Sequence, residues 1–260
     1  MAAPSYPARG LVLRKTKLGE SDLVVTMLAQ DGSQLRAVAK GARKPTSTFA
    51  SRLELYAEAD LLCSPGRSLD VVREARLVRA NAGLRSSVER AAAAAPAAEL
   101  LARVSQPDLP QPRLYDASAA GLAALDGASP AQAPGVCAAL LLKTLGLAGL
   151  RPSLARCVCC GEEAGEGAPG ESVPFSFSEG GVVCAACRPR ADAVAVDAGT
   201  VAWARFLLGS TYAAILDADP DPGAAFGVLR LCQGLVRAHV GGSLRGLEFL
   251  FTCGLFGDEG

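Results

Sequence analysis

The chain has 260 residues, half of them hydrophobic, and its 26 Lys/Arg balance 26 Asp/Glu. That length supports one or two domains with a sizeable core. No window reaches the ~18 uncharged apolar residues of a membrane span, and Met1-Ala2-Ala3-Pro4-Ser5 opens no apolar signal core, which argues against membrane and secretory classes. The zero net charge hides an asymmetry: residues 1–80 carry 13 Lys/Arg against 8 Asp/Glu, and the remainder carries 13 against 18. Such a distribution suggests that the N-terminal part meets a polyanion.

Residues 8–79 read as short strands. Leu11-Val12-Leu13 begins the first and Asp22 to Ala29 makes the second. Asp31-Gly32 follows at once, a dipeptide that favours a type I′ hairpin turn. Leu35 to Ala39 alternates apolar and polar residues and makes the third. A connection from Gly41 to Ser51 contains Pro45, then Leu53 to Cys63 makes the fourth strand. Pro65-Gly66 turns the chain into a fifth, Leu69 to Val78. Five short strands with one long basic loop predict a small closed barrel of the OB type over residues 1–80, with an SH3-like barrel as the alternative.

From residue 81 the pattern is helical. Leu84 to Val104 is rich in Ala and Leu, and Pro96 predicts a break or a new start there. Gln106 to Pro112 is a loop. Leu114–Leu125 and Val136–Leu147 are further helices. After an interruption, helix resumes at Asp197, a plausible N-cap, and runs to Leu216. Asp219-Pro220-Asp221-Pro222 turns into a helix from Ala224 to about Val240, and a last one covers Leu244 to Phe251. On this reading the fold class is multidomain α+β: an OB barrel, then an α-helical domain over 81–260 with a module at 155–190 inserted.

That insert carries the strongest chemical signal. Cys157 and Cys160 form one Cys-x2-Cys knuckle, Cys184 and Cys187 a second, and 23 residues lie between them. Two such knuckles supply four thiolates at tetrahedral angles, which suits one Zn2+. The alternatives are buried apolar cysteines or disulfides. Cys159 competes within the first knuckle, but only the 157/160 pair has the x2 spacing. Four thiolates leave no open coordination place, so the zinc would be structural. The interval contains Glu162, Glu163, Glu166, Glu171 and Glu179 and no Lys or Arg, unlike a phosphate-gripping ribbon. It also holds a strand-like run, Val173 to Phe177. Some thirty residues cannot bury a core of their own, so metal would brace them. Nine cysteines, four of them suited to metal, favour a reducing compartment.

The basic loop is the main candidate for binding. Arg36, Lys40, Arg43, Lys44 and Arg52 fall between Asp31 and Glu54 with no acid among them, and Arg14, Lys15 and Lys17 stand on the first strand. Phosphate backbones need several cations along a groove, and OB barrels supply one from a strand face and its loops. An ordinary solvated face is the competing reading. Phe49 could stack on a base, although packing suits it better. His239, the single histidine, falls on a helical face with Cys232, Leu235 and Val236 and is expected to be buried. Arg230 and Arg237 fall on the opposite, polar side. No nucleophile elbow, phosphate-cradling Gly loop or deaminase signature is present, so no enzyme is indicated.

Gly10-Leu11-Val12-Leu13-Arg14, Gly19-Glu20-Ser21-Asp22 and Val38-Ala39-Lys40-Gly41-Ala42-Arg43-Lys44 resemble the start of the bacterial RecO family of recombination mediators. The two cysteine pairs and Leu244-Arg245-Gly246-Leu247-Glu248-Phe249-Leu250 fit the same family in the same order, so the resemblance spans nearly the whole chain. It implies an N-terminal OB barrel, a helical domain with a zinc module, binding to single- and double-stranded DNA, and annealing of complementary strands. It also implies partnership with RecR and single-stranded-DNA-binding protein, help in loading RecA, and a cytoplasmic, nucleoid-associated location. Lys40, Arg43 and Lys44 match the family's basic loop. Cys159 and the acidic insert after Cys160 depart from its usual pattern. The rival reading is a zinc-braced scaffold whose barrel binds acidic proteins and not DNA.

Overall fold

The computed structural model describes residues 4–165, 167–168, 170–218 and 222–256. Glu166 and the expected turn at Asp219-Pro220-Asp221 lie outside the described residues.

Five strands close into a ring in the order β1-β2-β3-β5-β4: β1 (Tyr6–Leu18), β2 (Asp22–Ala29), β3 (Gln34–Ala39), β4 (Glu58–Ser64) and β5 (Asp70–Arg79). Neighbours are antiparallel except β3 and β5, which are parallel. That order is the OB topology. Period-2 alternation sorts the side chains. Val12, Val25, Met27, Ala37 and Ala39 fill the interior. Leu11, Leu13 and Leu28 face outward and join the helical core. Val12 pairs with Met27 and Arg14 with Thr26, so Leu13 is the extra residue of a bulge.

Two strand-level expectations fail for local reasons. The β2–β3 connection is not a type I′ turn, which needs positive φ at both central residues. It spans Gln30 to Ser33, and only Gly32 has positive φ (84°). The Asp31 carboxylate instead accepts from the Ser33 amide (2.9 Å) and hydroxyl (2.7 Å). The fourth strand begins at Glu58, not Leu53. The basic connection ends in a single turn of helix, α1 (Phe49–Arg52), and Tyr56 then takes φ 68°. The Asn81 side chain fixes that kink by donating to the Tyr56 carbonyl (2.8 Å). The kink delivers the Tyr56 ring to the helical core.

The helical part comprises α2 (Gly83–Ser86), α3 (Val88–Val104), α4 (Pro112–Gly127), α5 (Ala133–Leu147), α6 (Ala198–Gly209), α7 (Tyr212–Ala218), α8 (Pro222–His239) and α9 (Arg245–Thr252). α5 is apolar almost all round and forms the hub, packed on α3, α4, α6, α7 and α8. Pro96 does not break α3; the break falls at Ser87, whose hydroxyl caps the Arg90 amide. A proline has no N–H, and α9 uses the space: a Cβ on Gly246 would stand 2.7 Å from the Pro96 nitrogen. The Gly246 amide donates to Glu99 (3.1 Å), and Arg103 donates to the Gly241 (3.0 Å) and Ser243 (2.7 Å) carbonyls. Asp197 caps α6 through the Thr200 amide (2.7 Å). The single helix expected to reach Leu216 is divided at Ser210-Thr211. There the Lys143 ammonium takes the Leu208 (3.1 Å) and Ser210 (2.7 Å) carbonyls that a continuing helix would use.

Between α5 and α6 lies a small antiparallel sheet in the order β7-β6-β8: β6 (Ser172–Ser176), β7 (Gly181–Val182) and β8 (Val194–Asp197). The barrel and helices meet at the β2–β3 tip. The Gln111 amide donates to the Asp31 carbonyl (2.7 Å), and the Gln34 amide donates to the Gln106 carbonyl (2.9 Å).

Candidate metal centre and nucleic-acid interface

Each knuckle is a tight turn. In the first, the Gly161 amide donates to the Cys157 carbonyl (2.8 Å), with Gly161 at φ 80°, and the Cys157 amide donates to the Glu162 carbonyl (2.7 Å). In the second, the Cys187 and Arg188 amides both donate to the Cys184 carbonyl (3.1 and 3.0 Å). The Val158 amide donates to the Val182 carbonyl (2.9 Å), tying the first knuckle to β7 just before the second begins. The sulfurs of Cys157, Cys160, Cys184 and Cys187 thereby come within 4.8 Å of one another, and all four are free thiols. Cys160 and Cys184 sulfurs are 3.8 Å apart. Tetrahedral thiolates at about 2.3 Å from zinc would stand about 3.8 Å from each other, so the set has room for such an ion.

The electrostatics also fit a cation. Backbone N–H groups, that of Cys184 first, pull the Cys157 thiol down to about 6, against the effect of its burial. Hydrogen bonding to the Cys184 and then the Cys160 sulfurs pushes Cys187 up to about 12. Without a cation, one negative sulfur makes the next harder to ionise; a bound divalent ion removes that conflict. Cys159 is exposed and stands outside the four-sulfur group.

His239 is exposed, which corrects the expectation of a buried ring. Its neighbours Cys232, Leu235 and Val236 are buried as expected, but His239 comes at the end of α8. There its Nε2 lies 2.8 Å from the Phe177 carbonyl, in the turn between β6 and β7. The Phe177 ring lies over Gly234, where a Cβ would come within 2.2 Å of it. The ribbon's turn is thus pinned to α8 at two points.

The basic candidates separate into groups. Asp22 accepts the Gly41 amide (2.7 Å), and that bond first, then the Ser21 hydroxyl, holds its carboxyl below the ordinary range. Arg43 donates through its guanidinium to the Gly19 (3.2 Å) and Glu20 (2.8 Å) carbonyls. These bonds clamp the Lys40–Lys44 loop onto the β1–β2 turn, two residues beyond Lys17. The clamp stands at the opposite end of β2 from the tip that docks on the helices. Arg14, Thr26 and Arg36 form a cross-strand row on β1, β2 and β3. Arg14, Lys17, Arg36, Lys40 and Lys44 are exposed, and their charged groups bond to no described residue.

Two candidates lie apart from this exposed group. Lys15 shares the register of Val25 and Ala37, and its ammonium pairs with Glu54 (2.9 Å). Arg52 turns away from the loop and donates to the Ala75 carbonyl on β5 (2.9 Å). Phe49 is half-buried against the barrel core. Arg73 and Arg76 on β5 lie outside the basic cluster that the sequence marks out. Cys63 pairs with Val72 and Leu62 with Glu74, so Arg73 is a bulge residue and strict alternation fails there.

The class defined by these features is an OB-barrel protein with a helical body and a four-thiol module that could hold a metal ion. Residues 1–81 match the family model described as recombination protein O N terminal, and residues 85–248 match recombination protein O C terminal. The chain is 39% identical over 203 residues to the DNA repair protein RecO of Bifidobacterium adolescentis, covering 75% of this chain and 79% of that protein. The chain belongs to the recombination protein O family, RecO, a family of DNA repair proteins. No helix among the described residues is long and apolar enough to cross a membrane.

Proposed function

We propose that the protein is a non-enzymatic recombination mediator that binds single- and double-stranded DNA, anneals complementary strands and, with RecR and single-stranded-DNA-binding protein, helps RecA load. Residues 1–80 act as the DNA-binding unit and 81–260 as the protein-docking unit, with the 155–190 module braced by one structural Zn2+ on Cys157, Cys160, Cys184 and Cys187. A location in the cytoplasm at the nucleoid belongs to the same reading.

The observation that carries it is the clamped loop: Lys40 and Lys44 stand exposed on a turn fixed by Asp22 and Arg43, at the barrel end away from the helices. A fixed turn presents charge to phosphates with little ordering cost. Phosphate contacts carry no sequence information, so binding is nearly indifferent to base sequence. Annealing follows from the same charge, since two polyanions must be neutralised to approach.

The test is a salt titration. Lys40→Ala with Lys44→Ala lowers the log–log salt slope by about 1.4 on single strands and about 1.8 on duplex, at roughly 0.7 and 0.9 per lost contact. The fold survives, because exposed charges contribute little to stability. Adding Arg43→Ala lowers the slope further and also loosens the β1–β2 turn. A double variant with the parental slope would overturn the assignment. If DNA binding is unchanged and an acidic protein partner is lost, the scaffold reading takes its place.

A further inference from the structure

We propose that the groove between α1 and the β4–β5 hairpin is a second nucleic-acid site, selective for unpaired strands. The inference rests on the DNA-binding reading and extends it to a barrel face outside the Lys40–Lys44 loop. The groove has a volume of about 550 Å3. Its floor includes the half-buried Phe49 and Leu62, and its walls carry Arg52, Arg73 and Arg76.

The three guanidiniums are oriented from behind. Arg52 donates to the Ala75 carbonyl (2.9 Å), Arg73 to the Ser64 hydroxyl (2.8 Å) and Arg76 to the Asp60 carboxylate (2.6 Å). A guanidinium has five N–H donors, so each keeps others for a ligand. Asp60 is ionised and offsets one charge, but Arg9 (2.6 Å) and Arg76 (2.6 Å) share it, so the three side chains together keep one net positive charge. Glu74 is the remaining acid of the lining. The groove therefore presents anchored cations around an apolar and aromatic floor.

That combination selects the ligand. Sequence-tolerant single-strand sites pair cations for the backbone with aromatic faces on which bases stack. In a duplex the base faces are stacked on each other, and only phosphates and groove edges are offered. Duplex would engage the Lys40–Lys44 loop through phosphate alone, whereas an unpaired strand would also enter this groove. The loop leads into the groove along the chain, from Lys44 through Thr48 to Arg52.

The experiment compares the full-length parent, Arg73→Gln with Arg76→Gln, and Glu74→Arg. Labelled oligothymidine and a mixed-sequence duplex are each titrated over a salt series, and circular dichroism checks that each variant is folded. The double variant should lower the log–log slope on oligothymidine by about 1.4, two contacts at roughly 0.7 each, and leave the duplex slope unchanged. Glu74→Arg should raise the oligothymidine slope by about 0.7. Equal losses on both substrates, or none on oligothymidine, overturn the proposal. A double variant unchanged on DNA but deficient in binding polyglutamate assigns the groove to an acidic protein and also overturns it. A parent that binds neither nucleic acid overturns the wider DNA-binding reading, which the variants alone cannot do.

Discussion

The barrel's five strands hydrogen-bond into a ring and enclose a core of their own, with Val12, Val25, Met27 and Ala59 fully buried. The ribbon's three strands enclose nothing separate: Val173, Phe175 and Val182 belong to the same apolar cluster as the leucines of α5 and α8. One β-module is closed by geometry; the other leans on helices at one side and on four sulfurs at the other. Position within the core therefore decides which residues are free for function. On the proposed reading the barrel's exposed cations should change without unfolding it, whereas the ribbon's cysteines should not.

The sharpest way to break the comparison is at the sulfurs. Cys184→Ala removes one of the four clustered thiols, and in a metal-braced module metal binding and folding are one process. The expected loss is at the top of the range for single substitutions, beyond about 4 kcal/mol. Zinc content should fall and amide protection should drop from residue 157 to 187, while β1–β5 keep theirs. Cys159→Ala is the internal control and should leave zinc content unchanged. Stoichiometric zinc and full protection in the Cys184 variant would refute the metal assignment.

A smaller effect is expected where the barrel meets the helices. Gly32 has φ 84°, and a Cβ there would lie 2.0 Å from the Gln111 carbonyl oxygen. Gly32→Ala should cost about 1–3 kcal/mol, from left-handed strain and the forced separation of tip and loop. Thermal melts read the loss. A melting temperature equal to the parent's would mean that the barrel does not depend on this docking.

The smallest effect is one of pH, confined to the basic loop. The folded Asp22 carboxyl is held below its ordinary value, chiefly by the Gly41 amide. Its contribution is therefore fully present above the ordinary carboxylate range near 4 and is lost as pH falls through the folded value. The Gly41 amide resonance should titrate with a midpoint below about 3.9, and Asp22→Asn should abolish that titration. An amide shift that does not move in acid would remove the clamp.

What the sequence revealed was governed by local rules. Asp22–Ala29 is a short apolar run closed by the Asp31-Gly32 turn and is the strand expected, end to end. The four cysteines were legible because a knuckle is set by its own four residues. Interactions between distant residues were not legible. Tyr56 leaves the strand pattern because Asn81 holds its carbonyl, 25 positions away. Pro96 stays within a helix because Gly246 packs against it. His239 shares its helical face with buried neighbours but stands at the helix end, beside a turn that the sequence does not place there. Among the cations, counting charges could not show that Lys15 is paired with Glu54 or that Arg52 faces β5.

The contact of α3 with α9 bears on how the molecule is assembled during synthesis. β1 to β5 are complete once residue 79 has left the ribosome, but Leu11, Leu13 and Leu28 then lie bare on the barrel's outer face until α3 emerges. α3 is itself unfinished: Glu99 waits for the Gly246 amide, and Arg103 for the carbonyls of Gly241 and Ser243. At about 5–20 residues per second, that wait is on the order of ten seconds or more. The nascent chain thus carries first an apolar barrel face, until α3 emerges, and then the α9-facing side of α3, until residue 246 is made. Ribosome stalling before that codon would leave that side of α3 open to aggregation or chaperone capture.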